Sequence, residues 1–212
     1  MPKFLKGLLW VAGLTGLVVL LLRALLFKVW TVPDDPILAA SLAPSLNGGD
    51  VVLVLTKGER GVGDLVRCTD PEDAQRWVVG RIYGTPGDRV AVSNGIVSIN
   101  GRRYATTEAC LEDSVDSVDP RSGAPVKISC SRVEVAGGWH FMGRGAETAS
   151  HDIPEHTVGA DRFFLISDNR SSPEDSRHFG AVFAAQCVDK ISFRLWGKEG
   201  FGASKHRFDV IR

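Results

Sequence analysis

The chain has 212 residues with 25 basic and 25 acidic side chains, so its formal net charge is zero. This length allows one domain with a sizeable core and an appendage. Four basic residues flank or end an apolar amino-terminal segment, and without them 21 basic residues face 25 acidic ones. That excess of acid disfavours nucleic-acid binding, and neither a zinc-finger pattern nor a P-loop is present.

The amino-terminal segment, residues 7–27, contains 21 residues and one charge, Arg23. As a helix it would extend about 31 Å, the thickness of the hydrocarbon core of a bilayer. A cleaved signal peptide has a shorter apolar core, which is followed by a cleavage site of small residues. The nearest such sequence here, "SLA", lies well beyond the apolar segment and precedes Pro44, so it is a poor cleavage site. A buried core helix would rarely be apolar on every face. We therefore predict a retained membrane anchor over residues 1–30, which contacts the lipid bilayer through residues 7–27. Its orientation is not decided by flanking charge, because two basic residues lie at each end.

Short β patterns follow the anchor. Residues 31–40 are interpreted as a proline-broken extended linker. Strands are predicted at 50–56, 77–79, 162–168 and 188–196, and three more within 89–105, where two Asn-Gly pairs favour type I′ turns. Residues 106–159 are rich in Gly, Ser, Asp and Pro and are expected to form an irregular insertion or flap. The predicted fold is mostly β: an antiparallel domain from residues 31–105 and 160–212, preceded by one transmembrane helix.

The four cysteines, Cys68, Cys110, Cys130 and Cys187, show no metal-binding spacing. An even number without such spacing favours one or two disulfides in an oxidising compartment. Of the pairings available, Cys110 with Cys130 is favoured, because it closes a loop-rich segment. Unpaired buried thiols are the alternative.

Four motifs occur in a fixed order behind the anchor. They are "SLAPSL" from Ser41 with "GD" at 49–50, "GRIYGTPGD" at 80–88, "INGR" at 99–102, and "SDNRSSPEDSRHFG" at 167–180. Each alone would usually indicate a turn. Together they resemble type I signal peptidases, the membrane-anchored serine endopeptidases that remove signal peptides from exported proteins. The resemblance covers the anchor and most of the β domain, implies the signal peptidase I-like fold, and is faint in the insertion.

The resemblance assigns Ser41 to the nucleophile position and Gly80 to the position of the general base. In the family this base is a lysine, whose burial in an apolar pocket lowers its pKa until the neutral amine can accept the serine proton. Gly80 has no titratable group, so this base position is vacant. Arg81 cannot replace the base, because a guanidinium keeps its proton. We expect Arg81 to pair with Asp168 or Asp175.

Two further departures affect the same reaction. Ala39 stands where the family has a serine that stabilises the oxyanion, and losing such a donor typically costs ~10²–10³ in rate. Pro173 stands where the family has a serine that orients the lysine, with Ser172 beside it. The charged residues of the last motif are expected to form a structural ion-pair network around the site: Asp168, Arg170, Asp175 and Arg177. No cofactor or metal is expected.

Two functions remain open at this stage. In the first, the chain is a catalytically impaired family member that binds signal peptides or extended segments of exported proteins. In the second, it is an active signal peptidase with a relocated base, for which His178 is the nearest candidate in sequence. The resemblance implies a single-pass protein of the bacterial inner membrane with its globular domain on the periplasmic side. Ser41 lies fourteen residues beyond Phe27, which would place it near the bilayer surface.

Overall fold

The computed structural model describes residues 3–145, 151–171, 174–203 and 206–212. The described part is mostly antiparallel β structure behind one long helix, which confirms the predicted fold class. Its helices and strands, in chain order, are α1 Lys3–Leu26, β1 Phe27–Thr31, α2 Pro36–Leu42, β2 Val51–Leu55, β3 Leu65–Thr69, β4 Trp77–Gly84, β5 Arg89–Ser93, β6 Ile96–Ile99, β7 Arg102–Tyr104, β8 Thr106–Val118, β9 Pro125–Val135, β10 Gly138–Arg144, β11 Ile153–Thr157, β12 Arg162–Ile166, α3 Ser176–Phe179, β13 Val182–Phe183, β14 Asp189–Trp196 and β15 Asp209–Val210.

Helix α1 is apolar and is exposed over residues 3–22. The segment Lys3–Leu22 has a mean hydropathy of 2.1 and none of it is buried against the rest of the protein. By length and composition this helix can cross a membrane. It ends at Leu26 rather than continuing to residue 30, because the aromatic and β-branched residues that follow form the edge strand β1.

The main sheet connects the end of α1 to the candidate site. Its strand order is β1-β2-β14-β3-β4-β12-β13, with β15 paired to β14. Across it, one ladder of partners runs from Phe27 through Leu55, Lys190 and Val66 to Gly80. At about 4.8 Å per strand, Gly80 lies roughly 19 Å from the residue at which the chain leaves α1. Gly80 is therefore in the same row of strand partners as Phe27, the first residue after α1.

Two smaller sheets pack beside the main one, in the orders β11-β5-β6-β7 and β10-β9-β8. The two Asn-Gly turns of the first sheet have the positive φ angles that type I′ turns require. The second sheet lies in the segment 106–159, which is more regular than expected. Its alternation is hidden by serine and aspartate residues and by register shifts such as the one between Ala109 and Ser114.

Two disulfides connect the four cysteines. The insertion disulfide, Cys110–Cys130, is the predicted pair, and the core disulfide, Cys68–Cys187, joins residues 119 positions apart. The core disulfide lies in an apolar cluster with residues of β3, β4 and β12. It therefore fastens the carboxy-terminal part of the chain to the sheet that holds Gly80.

Candidate active site

Helix α2 occupies part of the segment that was interpreted as an extended linker. That interpretation is wrong for residues 36–40, because Asp35 caps a helix there: its side chain accepts from the N–H groups of Ile37 at 2.8 Å and Leu38 at 3.2 Å. Pro36 occupies the first turn, where its fixed φ suits a helix and no N–H is required. Leu38 and Leu42 are buried in one cluster with Val79 of β4, so α2 packs on the strand that carries Gly80.

Ser41 is the sixth of the seven residues of α2 and is fully buried. Its Oγ donates to the carbonyl oxygen of Leu38 at 2.9 Å. Helical geometry directs its N–H toward the carbonyl of Ile37. Ala39 is half-buried in the same helix and has no side-chain donor. The hydroxyl of Ser41 is thus engaged by the backbone of α2, and its amide points along the same helix.

Asn169 holds the end of α2 in place. Its side-chain Nδ2 donates to the carbonyl of Ala40 at 2.8 Å, and its backbone N–H donates to the carbonyl of Ser41 at 3.0 Å. The loop after β12 therefore fixes the backbone around Ser41 through two hydrogen bonds.

Gly80 lies on the apolar face of β4. Side chains alternate along a strand, so a residue at 80 shares the face of Val78 and Ile82, both buried in the cluster that contains Leu165. A Cβ at Gly80 would lie 3.2 Å from Leu165 Cβ and 3.4 Å from the carbonyl oxygen of Ile166. Within the described ranges, no lysine or histidine nitrogen bonds to Ser41 Oγ.

Arg81 lies on the opposite face of β4 and pairs with Asp168, one of the two predicted partners. Its Nε and one terminal nitrogen contact the two carboxylate oxygens at 2.7 and 3.0 Å, and its other terminal nitrogen donates to the carbonyl of Gly63 at 3.1 Å. The hydroxyl of Ser45 also donates to this carboxylate. Burial opposes the charge of Asp168, yet the neighbouring guanidinium holds the pKa of its carboxyl well below its usual range.

His140 of β10 is a member of this network that sequence reasoning missed. Its Nδ1 lies 2.7 Å from the carbonyl of Phe141 and 3.3 Å from Asp168 Oδ1, while its Nε2 lies 2.8 Å from the hydroxyl of Tyr83. Arg170 donates to the same hydroxyl at 2.9 Å. These partners assign the proton of a neutral imidazole to Nδ1, so that Nε2 accepts from the tyrosine. Burial lowers the pKa of His140, and nearby guanidinium groups lower it further.

A signal for His140 was present in the sequence. It alternates with the buried Met142 along β10, so its side chain belongs to the inward face of that strand. The many Gly, Ser, Asp and Pro residues of the segment 106–159 hide this alternation in the sequence.

Asp175 and Arg177 form a second buried pair. Asp175 caps α3 and contacts the guanidinium of Arg177 at 2.7 Å, and it also accepts from the N–H of Ser167 at 2.6 Å. Arg177 in turn donates to the carbonyl of Arg170 at 3.0 Å. Burial opposes the charge of Asp175, but Arg177 and these N–H donors keep the pKa of its carboxyl below the ordinary value. This pair fixes residues 167–170, the loop that holds α2. Ser172 and Pro173 lie outside the described residues.

His178, the candidate for a relocated base, is exposed on α3. Its Nε2 lies 3.1 Å from Nε2 of His151, and the structure records no contact between it and Ser41 in the part of the chain it describes. The same described part contains no group of three or more His, Cys, Asp or Glu side chains arranged to hold a metal ion.

Comparison with known proteins gives one consistent result. Residues 5–196 match the family model described as "Signal peptidase, peptidase S26". The chain is 28% identical to signal peptidase I of Bacillus caldolyticus over 194 residues, which cover 90% of this chain and 91% of the relative. It is 26% identical to signal peptidase IB of Staphylococcus aureus strain COL, over 80% of this chain and 78% of the relative. It is also 26% identical to signal peptidase I of Streptococcus pneumoniae serotype 4, over 74% and 78% respectively.

Proposed function

Since this chain belongs to the signal peptidase family, peptidase S26, we propose that it binds signal peptides or extended segments of exported proteins and cleaves them poorly or not at all. The proposal rests on Gly80, which lies on β4 and which the motif resemblance assigns to the position of the family's general base; glycine supplies no titratable group. A serine hydroxyl without a base forgoes the ~10²–10⁴ in rate that general-base catalysis contributes.

The environment of Ser41 supports the same proposal. Its hydroxyl hydrogen is engaged by the carbonyl of Leu38, an acceptor too weakly basic to remove it. Its amide is directed into α2, and Ala39 adds no oxyanion donor. A hydroxyl attack at this position would therefore begin without a base and with fewer groups to stabilise the oxyanion.

The intact scaffold supports retained binding. Buried ion pairs cost free energy unless each partner is fully hydrogen-bonded, and removal of one partner is strongly destabilising. The Arg81–Asp168 and Asp175–Arg177 pairs are both complete, and the loop between them still holds α2 through Asn169. The polar groups that shape the backbone around the site are thus kept, although the catalytic base is missing.

We also propose that the globular domain lies on the extracytoplasmic side of a bacterial inner membrane. Two disulfides suit an oxidising compartment, and α1 is long and apolar enough to cross once. The ladder from Phe27 to Gly80 supports a site close to the membrane surface, where a signal peptide would be presented. Alkaline phosphatase fused after residue 212 should be active in intact cells; an inactive fusion would reverse the orientation.

The functional test uses the full chain in lipid nanodiscs with a fluorescent preprotein signal peptide. We expect saturable binding by fluorescence anisotropy. Mass spectrometry should detect no cleavage beyond that of Ser41→Ala. Ala39→Arg, which places a long side chain beside Ser41, should weaken binding at least tenfold. Ala105→Arg, at an exposed alanine between β7 and β8, is the matched control and should bind normally.

Two results would overturn this proposal. Cleavage at a signal-peptide site at a rate comparable to that of a complete signal peptidase, and lost in Ser41→Ala, would make the chain an active peptidase with another base. Equal binding by the wild type, Ala39→Arg and Ala105→Arg would show that the peptide binds elsewhere.

A further inference from the structure

The two histidines beside the carboxy-terminal motif form a pair that the proposed function does not use. His178 is exposed on α3, and His151 is half-buried just before β11. Their Nε2 atoms lie 3.1 Å apart and their ring centroids 4.4 Å apart, with the ring planes inclined by 68°. The two residues are 27 positions apart and belong to different parts of the fold, so the tertiary structure brings these nitrogens together.

We propose that His151 and His178 together bind a borderline divalent transition-metal ion such as Zn²⁺ or Ni²⁺. Neutral imidazole is a preferred ligand for these ions. With Zn–N distances of about 2.05 Å, an N···N separation of 3.1 Å gives an N–Zn–N angle of about 98°. That angle lies between the octahedral and tetrahedral values, so the separation of the two nitrogens suits a shared metal ion. Water completes the coordination.

One carboxylate lies near the pair. Glu174, two residues before Ser176 of α3, is half-buried and interacts electrostatically with Arg76 and, more weakly, with His178. Its carboxylate offsets part of the positive charge that a metal would bring to this surface.

A metal at this position would tie two parts of the molecule together. His151 follows the insertion sheet and precedes β11, whereas His178 belongs to α3, which Asp175 caps. The hydroxyl of Ser176 in α3 accepts from the N–H of Leu165, the residue that faces Gly80. The metal would therefore fasten the insertion to the helix that supports one wall of the candidate site.

The test is calorimetric titration of the untagged full chain in detergent with Zn²⁺ and, separately, Ni²⁺, above the ordinary imidazole pKa of about 6.5. We expect one ion per chain. His151→Ala and His178→Ala should each weaken Zn²⁺ binding at least tenfold, and His156→Gln, at a third histidine close in sequence, should leave it unchanged. At free Zn²⁺ near 100 times the wild-type Kd, the folding equilibrium constant should rise about 100-fold, and His178→Ala should reduce that rise to about tenfold or less.

Thermal unfolding of each variant without metal shows whether the substitution itself changes stability. His178→Gln is measured as a second, more conservative substitution at the same position. Unchanged Zn²⁺ affinity in the two alanine variants would overturn the proposal. So would wild-type Zn²⁺ binding no tighter than that of a double variant that carries both His151→Ala and His178→Ala. Neither result bears on peptide binding, because the peptide assay contains no metal.

Discussion

A lysine introduced at position 80 would have to fit against β12. The first added atom, Cβ, would lie 3.2 Å from Leu165 Cβ and 3.4 Å from the Ile166 carbonyl oxygen, so both must shift by a few tenths of an ångström. Overpacking of this kind typically costs about 1–3 kcal/mol. Replacing a strand glycine regains about 0.5–1 kcal/mol of backbone entropy. Packing alone should therefore cost Gly80→Lys at most about 2.5 kcal/mol, and burial of the amine on this apolar face adds to that loss.

The expected gain in cleavage rate follows from the role of the amine. A positioned general base contributes ~10²–10⁴ in rate, equivalent to about 2.7–5.4 kcal/mol of activation free energy. The variant should still fall below a complete site by ~10²–10³, because Ala39 provides no oxyanion donor. Burial on this face disfavours a charged ammonium, and only the neutral amine can accept the serine proton. The rate should therefore increase with pH until the lysine is fully deprotonated.

The assay is single-turnover cleavage of a preprotein in nanodiscs, followed by mass spectrometry. Gly80→Met is the matched control, since methionine has a similar length and packing volume but no amine. Gly80→Lys combined with Ser41→Ala establishes whether any new cleavage uses the serine. Equal rates for the folded lysine and methionine variants would refute the reasoning, because the missing amine would then not limit the reaction.

Three further outcomes concern stability. The pKa of His140 is lower in the folded state, so the unfolded chain takes up this proton first as the pH falls. The free energy of unfolding should therefore decrease as the pH drops below about 6.5. In His140→Gln, the midpoint of urea denaturation should depend less on pH in this range. Asp168→Asn leaves the buried guanidinium of Arg81 without its carboxylate and should cost about 3–5 kcal/mol in urea unfolding, part of which Arg81→Met should restore in the double variant. Replacing both cysteines of the core disulfide by serine should lower the free energy of unfolding by about 5 kcal/mol, and the same change at the insertion disulfide by about 3 kcal/mol. The difference arises because the two disulfides close loops of 119 and 20 residues, which differ in closure entropy. Equal losses of stability in calorimetry would contradict this.

Local sequence patterns predicted the strands that carry strong alternation and clear turns. Residues 89–105 combine β-branched alternation with two Asn-Gly turns, and each feature favours the same three strands. The insertion was harder to predict because serine and aspartate occupy exposed positions of β8 and a register shift interrupts its period. Helix α2 was missed because Pro33 and Pro36 suggested extended backbone, whereas Asp35 places Pro36 in the first turn of a helix.

For the site, motif order predicted which residues matter and tertiary structure determined how they pair. The choice of Asp168 rather than Asp175 for Arg81 depends on the registry of β4 with β12, which no short pattern encodes. The contact between His140 and Tyr83 joins residues 57 positions apart. Such a pair is brought together only when the β10 strand packs over β4, so residue type and spacing alone could not predict it.

The junction between α1 and β1 has a mechanical consequence. No linker separates Leu26 from Phe27, and the carbonyl of Leu26 accepts a 3.0 Å hydrogen bond from the N–H of Thr56, just past the end of β2. The β domain is thus connected to α1 directly and not through a flexible linker. Tilting of α1, as occurs when bilayer thickness changes, should swing the whole β domain with it. The height of Ser41 above the lipid would then be set by membrane thickness rather than by the reach of a loose chain.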